Sequence, residues 1–192
     1  MGQRVFFGWF VVAATFVVLL LGFGIAYSFA SFFDGFERDF AASRGDVSLV
    51  FSLAGFLYFT LGIVSGPLSD RLGPRPVVAF GVVLIALGLF SSSFAGELWQ
   101  VYLGYGAAFG MGIGFAYVPS VGVLQRWFMR RRGLATGLAV TGIGVGTLAV
   151  PPVCRFLVAT MGWRATFQVL AAVVLVLGLV AAWMLYSDPG EM

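Results

Sequence analysis

The sequence predicts an all-α membrane protein: six transmembrane helices arranged as two inverted three-helix repeats. Three observations lead there. Of 192 residues, 60% are apolar and 10% charged, and mean hydropathy is +1.02; a soluble domain carries roughly 45–50% and 25%. The apolar residues fall into six stretches, each near the roughly 20 residues needed to cross a hydrocarbon core. The segments between them are short and collect the arginines.

The spans read as Gly8–Phe33, Val47–Ser69, Pro76–Phe94, Leu98–Val123, Gly133–Thr160 and Ala165–Tyr186. The first is too long and too interrupted by glycine for a cleaved signal peptide, and no small-residue cleavage pattern follows it. Ser43-x-x-Asp46 ahead of the second span is a capping box, which also disposes of the adhesion-like tripeptide Arg44-Gly45-Asp46. In the fourth span Gly106, Gly110 and Gly114 recur every four residues, as do Gly62 and Gly66 in the second and Gly142 and Gly146 in the fifth. Such spacing lets helix backbones approach closely. Gly110-x-Gly112-x-Gly114 is not a nucleotide loop, because no strand precedes it. Pro151-Pro152 in the fifth span removes backbone hydrogen bonds and predicts a hinge there.

The basic balance comes from eleven arginines and no lysine, and topology explains it without nucleic acid. Arg4, Arg71, Arg75, Arg126, Arg130, Arg131 and Arg132 flank the spans on one side; Arg38, Arg44 and Arg164 flank the other. The positive-inside rule then places both termini in the cytoplasm of a multi-pass inner-membrane protein. Asp34, Glu37, Asp39 and Asp46 fall around the first external loop.

A Gly-x-Arg turn joins the second and third spans (Gly73-Pro74-Arg75), and another joins the fifth and sixth (Gly162-Trp163-Arg164). The chain therefore reads as two repeats, about 1–96 and 97–192, within one six-helix bundle. Each repeat has an odd number of spans, so the second copy runs upside down, a device of secondary transporters.

With no His and only Cys154, the chain lacks a disulfide framework, a metal set and a histidine proton relay, and no cofactor is expected. No nucleophile–base pair can be assembled either, so an enzyme is not expected. Arg155 is the one charge expected inside a span. A buried intramembrane charge marks a functional site, here one that could hold a substrate carboxylate; the alternative is a stem that snorkels to the headgroups. Tyr27 and Tyr117 lie away from span ends, unlike Trp9, Trp99 and Trp183, and are candidates for a cavity wall, with Phe115 and Ser120 on neighbouring turns.

The turn Gly66-x-x-x-Asp70-Arg71-x-Gly73-x-Arg75 resembles the motif between helices two and three of the major facilitator superfamily. Gly8-Trp9, Tyr117-x-Pro119, Arg126-Trp127-Phe128 and the run Arg130 to Ala139 further resemble the monocarboxylate porters and oxalate–formate exchangers. The resemblance covers the first six of the twelve helices of such carriers, and Tyr186-Ser187-Asp188-Pro189 resembles the start of their central linker. It implies a latch formed by Gly66, Asp70, Arg71, Gly73, Arg75 and Arg126 that favours one access state. It also implies alternating access by two bundles around a small organic anion, mono- or dicarboxylate. The partner would be a second copy or a separate second-half chain in the lipid bilayer. A non-transporting assembly or regulatory subunit, or an inactive carrier fragment, is the alternative.

The chain also departs from the family pattern. Pro74 replaces one of two basic residues in the motif; Tyr27 stands where animal monocarboxylate porters carry a helix-one lysine; Tyr102 stands where drug–proton antiporters carry a helix-four arginine. No acidic residue lies deep in any span, so proton coupling would reside in the partner or in the substrate acid.

Overall fold

Long apolar helices set the architecture of the computed structural model, which describes residues 7–185; among them there is no strand. We number the helices α1 (Gly8–Tyr27), α2 (Phe33–Phe40), α3 (Arg44–Leu72), α4 (Pro74–Ser93) and α5 (Leu98–Trp127). The final helical stretch, Arg132–Trp183, is broken only at Gly162 (φ 80°, ψ 165°), which divides it into α6 (132–161) and α7 (163–183). All but α2 are of spanning length, so six spans result.

Several boundaries differ from the sequence reading. The first span ends at Tyr27, not Phe33. The chain then makes a 3-10 turn at Phe29–Phe32 and lays the amphipathic α2 across the bundle end. Its Phe36 and the preceding Phe32 are fully buried against Trp163 and Phe167. α3 runs to Leu72, so Asp70 and Arg71 sit inside its last turn rather than after it. α5 extends to Trp127 and contains a π-helical stretch, Tyr102–Phe109. Pro151 and Pro152 sit within continuous helical dihedrals; the break falls at Gly162 instead. The Ser43–Asp46 capping box is present, with the Asp46 N–H donating to Ser43 Oγ at 3.2 Å.

Glycine makes the helix seams possible. A Cβ at Gly112 would lie 2.6 Å from the Gly81 carbonyl oxygen, and one at Gly81 would lie 2.6 Å from the Gly112 carbonyl oxygen. α4 and α5 therefore touch backbone to backbone. Along the α1–α6 seam, a Cβ at Gly146 would meet Leu20 O at 2.6 Å. Buried hydroxyls tie two further seams: Thr15 Oγ1 of α1 donates to Ser120 O of α5 (3.0 Å), and Ser65 Oγ of α3 donates to Gly114 O of α5 (2.8 Å).

The two Gly-x-Arg turns are structural equivalents. Gly73 (φ 85°, ψ 158°) and Gly162 adopt nearly the same left-handed backbone, which costs a residue with a Cβ strain that glycine avoids. Arg75, at the start of α4, donates to Trp183 O at the end of α7 and lies over the Trp183 ring. Arg164, at the start of α7, donates to Ala95 O just beyond the end of α4 (3.1 Å) and lies over the Trp163 ring. Since α4 and α7 pack together, each helix's N-terminal arginine caps the other's C-terminal carbonyls, where the helix dipole favours a cation.

Candidate functional site

Three helices bring phenols to one ring. Phe23 of α1 has Tyr27 at 6.4 Å between centroids, Tyr117 of α5 at 5.3 Å and Tyr58 of α3 at 5.7 Å, the last two edge-on. Tyr27 is half exposed (52%); Tyr58 and Tyr117 are partly buried. The structure gathers the two tyrosines expected from sequence around Phe23, although Tyr27 is the last residue of α1 rather than away from a helix end, and adds Tyr58, which sequence reasoning missed. Its signal was faint: one tyrosine within Phe56-Leu57-Tyr58-Phe59, in a helix already rich in aromatics.

Phe115 and Ser120 stand elsewhere. Phe115 packs edge-on against Phe80 of α4 (5.3 Å). Ser120 is fully buried, its hydroxyl on Ala116 O (2.6 Å) and its carbonyl accepting from Thr15. Both belong to seams behind the phenols.

The phenols border a face that the chain leaves uncovered. Only 17% of the most apolar window of α3 is buried, against 67% for α1. Phe56, Phe59 and Ile63 project from α3, and Leu148 and Phe156 from α6. Arg155 lies on this exposed part of α6, above an open concavity of about 430 Å³ formed with Pro151, Pro152, Phe156 and Ala159. Its guanidinium makes no hydrogen bond or ion pair among the described residues.

At the other end of α3, Asp70 accepts from Arg126 Nη2 of α5 at 2.6 Å. Both side chains are well exposed, so the pair contributes about 0–1 kcal/mol and can open without large cost. It closes one wall of a groove of about 240 Å³ lined also by Gly66, Ser69, Pro119 and Gly122. A Cβ at Gly66 would meet only Val118, at an ordinary 3.6 Å, so packing inside this chain does not demand glycine there. Gly73 forms the turn and Arg75 the brace already described, while Arg71 is exposed.

At the bundle end that carries α2, Asp39 accepts from Trp163 Nε1 (2.9 Å) and pairs with Arg164, tying that strap to the α6–α7 break. The Trp163 hydrogen bond and the Arg164 guanidinium hold the Asp39 carboxyl below its usual 3.8 despite partial desolvation. Glu37 of the strap pairs with Arg44 at the start of α3, at 3.0 Å.

Residues 5–192 match the sequence pattern of the Major Facilitator Superfamily. The chain belongs to that superfamily. Among curated proteins, it is 41% identical over 168 residues to mouse monocarboxylate transporter 11 and 36% identical over 165 residues to rat monocarboxylate transporter 13. These alignments take in 88% and 86% of this chain but 38% and 39% of the relatives. The chain thus spans well under half the length of the transporters it matches. A crystal structure of a peptide transporter in complex with alafosfalin superposes with a TM-score of 0.77 at 19% identity, covering 90% of this chain and 37% of that one. That likeness establishes the six-helix superfamily fold. The superfamily's members are transporters rather than enzymes, and this chain is a multi-pass membrane protein belonging to it.

Proposed function

We propose that this chain forms the first six-helix half of a secondary carrier for small organic carboxylates, working by alternating access. It acts with a second six-helix unit: another copy, a separate second-half chain, or the remainder of a longer chain. The phenol cluster on an uncovered face is the observation that carries this reading. Three helices aim hydrogen-bonding rings at one place, and that place is enclosed only when another bundle covers α3 and α6. Tyr27, Tyr117 and Arg155 face the substrate, with Phe115 and Ser120 supporting the wall. Gly66, Asp70, Arg71, Gly73, Arg75 and Arg126 form the latch at the opposite end. Both termini lie in the cytoplasm, and the protein sits in the cell's inner membrane.

The weak Asp70–Arg126 pair suits a latch because it must break in every cycle. In liposomes, the assembled protein is expected to exchange labelled pyruvate, lactate, formate or oxalate against an internal carboxylate. Asp70→Asn is expected to shift the labelling of single-cysteine probes from one membrane face to the other. Absence of exchange by a correctly assembled protein would refute the transport reading, and unchanged labelling would refute the latch.

A further inference from the structure

The seam between α4 and α5 counts differently on its two sides. The helices run antiparallel, with Gly81 against Gly112 and Gly88 against Gly104. The α4 glycines are seven residues apart, whereas their α5 partners are eight apart. At about 100° per residue, seven residues return to within about 20° of one line along a helix, and eight fall about 80° off it. Two regular α-helices could not meet backbone to backbone at both crossings.

The π-helical stretch Tyr102–Phe109 resolves the mismatch. A Cβ at Gly81 would lie 2.6 Å from Gly112 O and 2.8 Å from Ala116 N, the acceptor and donor of an ordinary i to i+4 turn. A Cβ at Gly88 would lie 2.5 Å from Gly104 O and 2.7 Å from Phe109 N. Those groups are five residues apart, the acceptor and donor of a π turn. α4 thus sets a glycine on the same kind of backbone bond at each crossing, and the wider turn takes up one surplus residue of α5.

That turn stands between two differently anchored parts of the helix. From Gly110 onward α5 is held by α3, Gly110 against Ala54 and Gly114 against Tyr58, and by the Thr15 bond to Ser120 O. At the other end, the Tyr102 hydroxyl donates to Asp46 O at the start of α3, 2.6 Å away. Within the turn Gly104 faces α4 and Gly106 faces α3, so no α5 side chain wedges these contacts. Phe109 stacks on Tyr105 at 4.4 Å and lines a cleft with Phe23, Tyr27 and Tyr58.

Resting on the carrier reading above, we infer that this π turn is the hinge of α5. Residues 98–105 tilt about the Gly88–Gly104 crossing to open and close the α2 end of the phenol site, while the helix from Gly110 onward stays with α3. A π turn suits this, because its surplus residue lets the helix bend while its backbone groups keep partners. A turn that served register alone could be removed without consequence for motion.

The test removes the surplus. Deletion of Ala108, half buried inside the turn, makes the crossings seven for seven and lets α5 run as a continuous α-helix. In nanodiscs this variant is expected to keep its helical signal and to melt no lower than the natural chain. Deletion of Ala116, in the regular part of the same helix, is expected to abolish cooperative melting, because every later side chain turns by about 100°. Amides 106–109 are expected to exchange about ten-fold or more slowly in the Ala108 deletion than in the natural chain. Carboxylate exchange by the assembled protein in liposomes is expected to fall by about ten-fold or more. Collapse of the Ala108 deletion would show that no residue is surplus and overturn the inference. Unchanged amide exchange, or carboxylate exchange at the natural rate by the folded deletion, would overturn the hinge and leave a packing correction. A natural chain that exchanges no carboxylate sinks the carrier reading, while melting and amide exchange still decide the hinge.

Discussion

At the scale of single residues, two glycines two positions apart make opposite demands. A Cβ at Gly146 meets backbone of both Leu20 and Gly24, while a Cβ at Gly144 meets nothing within 4 Å. Alanine raises intrinsic helix stability over glycine by about 1 kcal/mol. Gly144→Ala is therefore expected to raise the melting temperature in detergent. Gly146→Ala must push α1 from α6 and is expected to lower it, through a destabilisation of about 1–3 kcal/mol. Thermal unfolding followed by tryptophan fluorescence reads both signs. Asp39 makes a second prediction at this scale. Its carboxyl is held below 3.8 by Trp163 and Arg164, so its contribution is present above that value and fades as pH falls through the lower folded value. Melting is expected to stay flat from about pH 8 to 5 with respect to this group, and Asp39→Asn to remove an acid-dependent loss seen only below about pH 4. A stability change centred near pH 6 that vanished in Asp39→Asn would contradict this.

At the scale of elements, the braces at the two Gly-x-Arg turns act on the same helix pair from opposite ends. Arg75 caps α7 and Arg164 caps α4. Arg75→Gln is expected to destabilise by about 1 kcal/mol, the scale of a charge-assisted cap, and Arg164→Gln by more, because it also breaks the ion pair with Asp39. The double variant is expected to lose the sum, since the braces sit a full span apart and share no contact. Hydrogen exchange is expected to localise each loss to the end of α7 or of α4. A loss spread over the whole bundle would show that the turns act through the overall fold rather than through capping.

At the scale of the molecule, the unit is unevenly finished. α1 is deeply packed, while α3 and α6 leave Phe59, Ile63, Leu148 and Phe156 exposed beside Arg155. Apolar exposure alone is ordinary in lipid, but an exposed face beside a charge that has no partner among the described residues is costly there. In nanodiscs the chain is expected to have a native mass of two copies of its 20.5 kDa. A persistent single copy would assign the covering bundle to a different six-helix unit.

Much of this was legible in the chain because it depends on local composition. Span number, the capping box at Ser43–Asp46, the glycine seams and the paired Gly-x-Arg turns follow from hydropathy, short-range hydrogen bonding and steric size. The Gly66-to-Arg75 turn was legible through its resemblance to the superfamily motif, whereas the pairing of Asp70 with Arg126, 56 residues away, required the packed structure. Other features required the packed structure, because they depend on register between elements distant in sequence. Nothing local announces that α1 stops at Tyr27 so that α2 can bury Phe36 on Trp163, or that Pro151 and Pro152 stay helical while Gly162 breaks. Phe115 and Ser120 sit on the expected turns of α5, yet the packing of α4 and α1 against that helix turns them to seams. Tyr58 becomes part of a site only because α3 lies beside Phe23. The sequence by itself determined a membrane bundle with inverted repeats, since apolar length and glycine turns act locally; only the tertiary structure decided which side chains share a vestibule, since that is set by helix rotation and depth across seams more than a hundred residues apart in the chain.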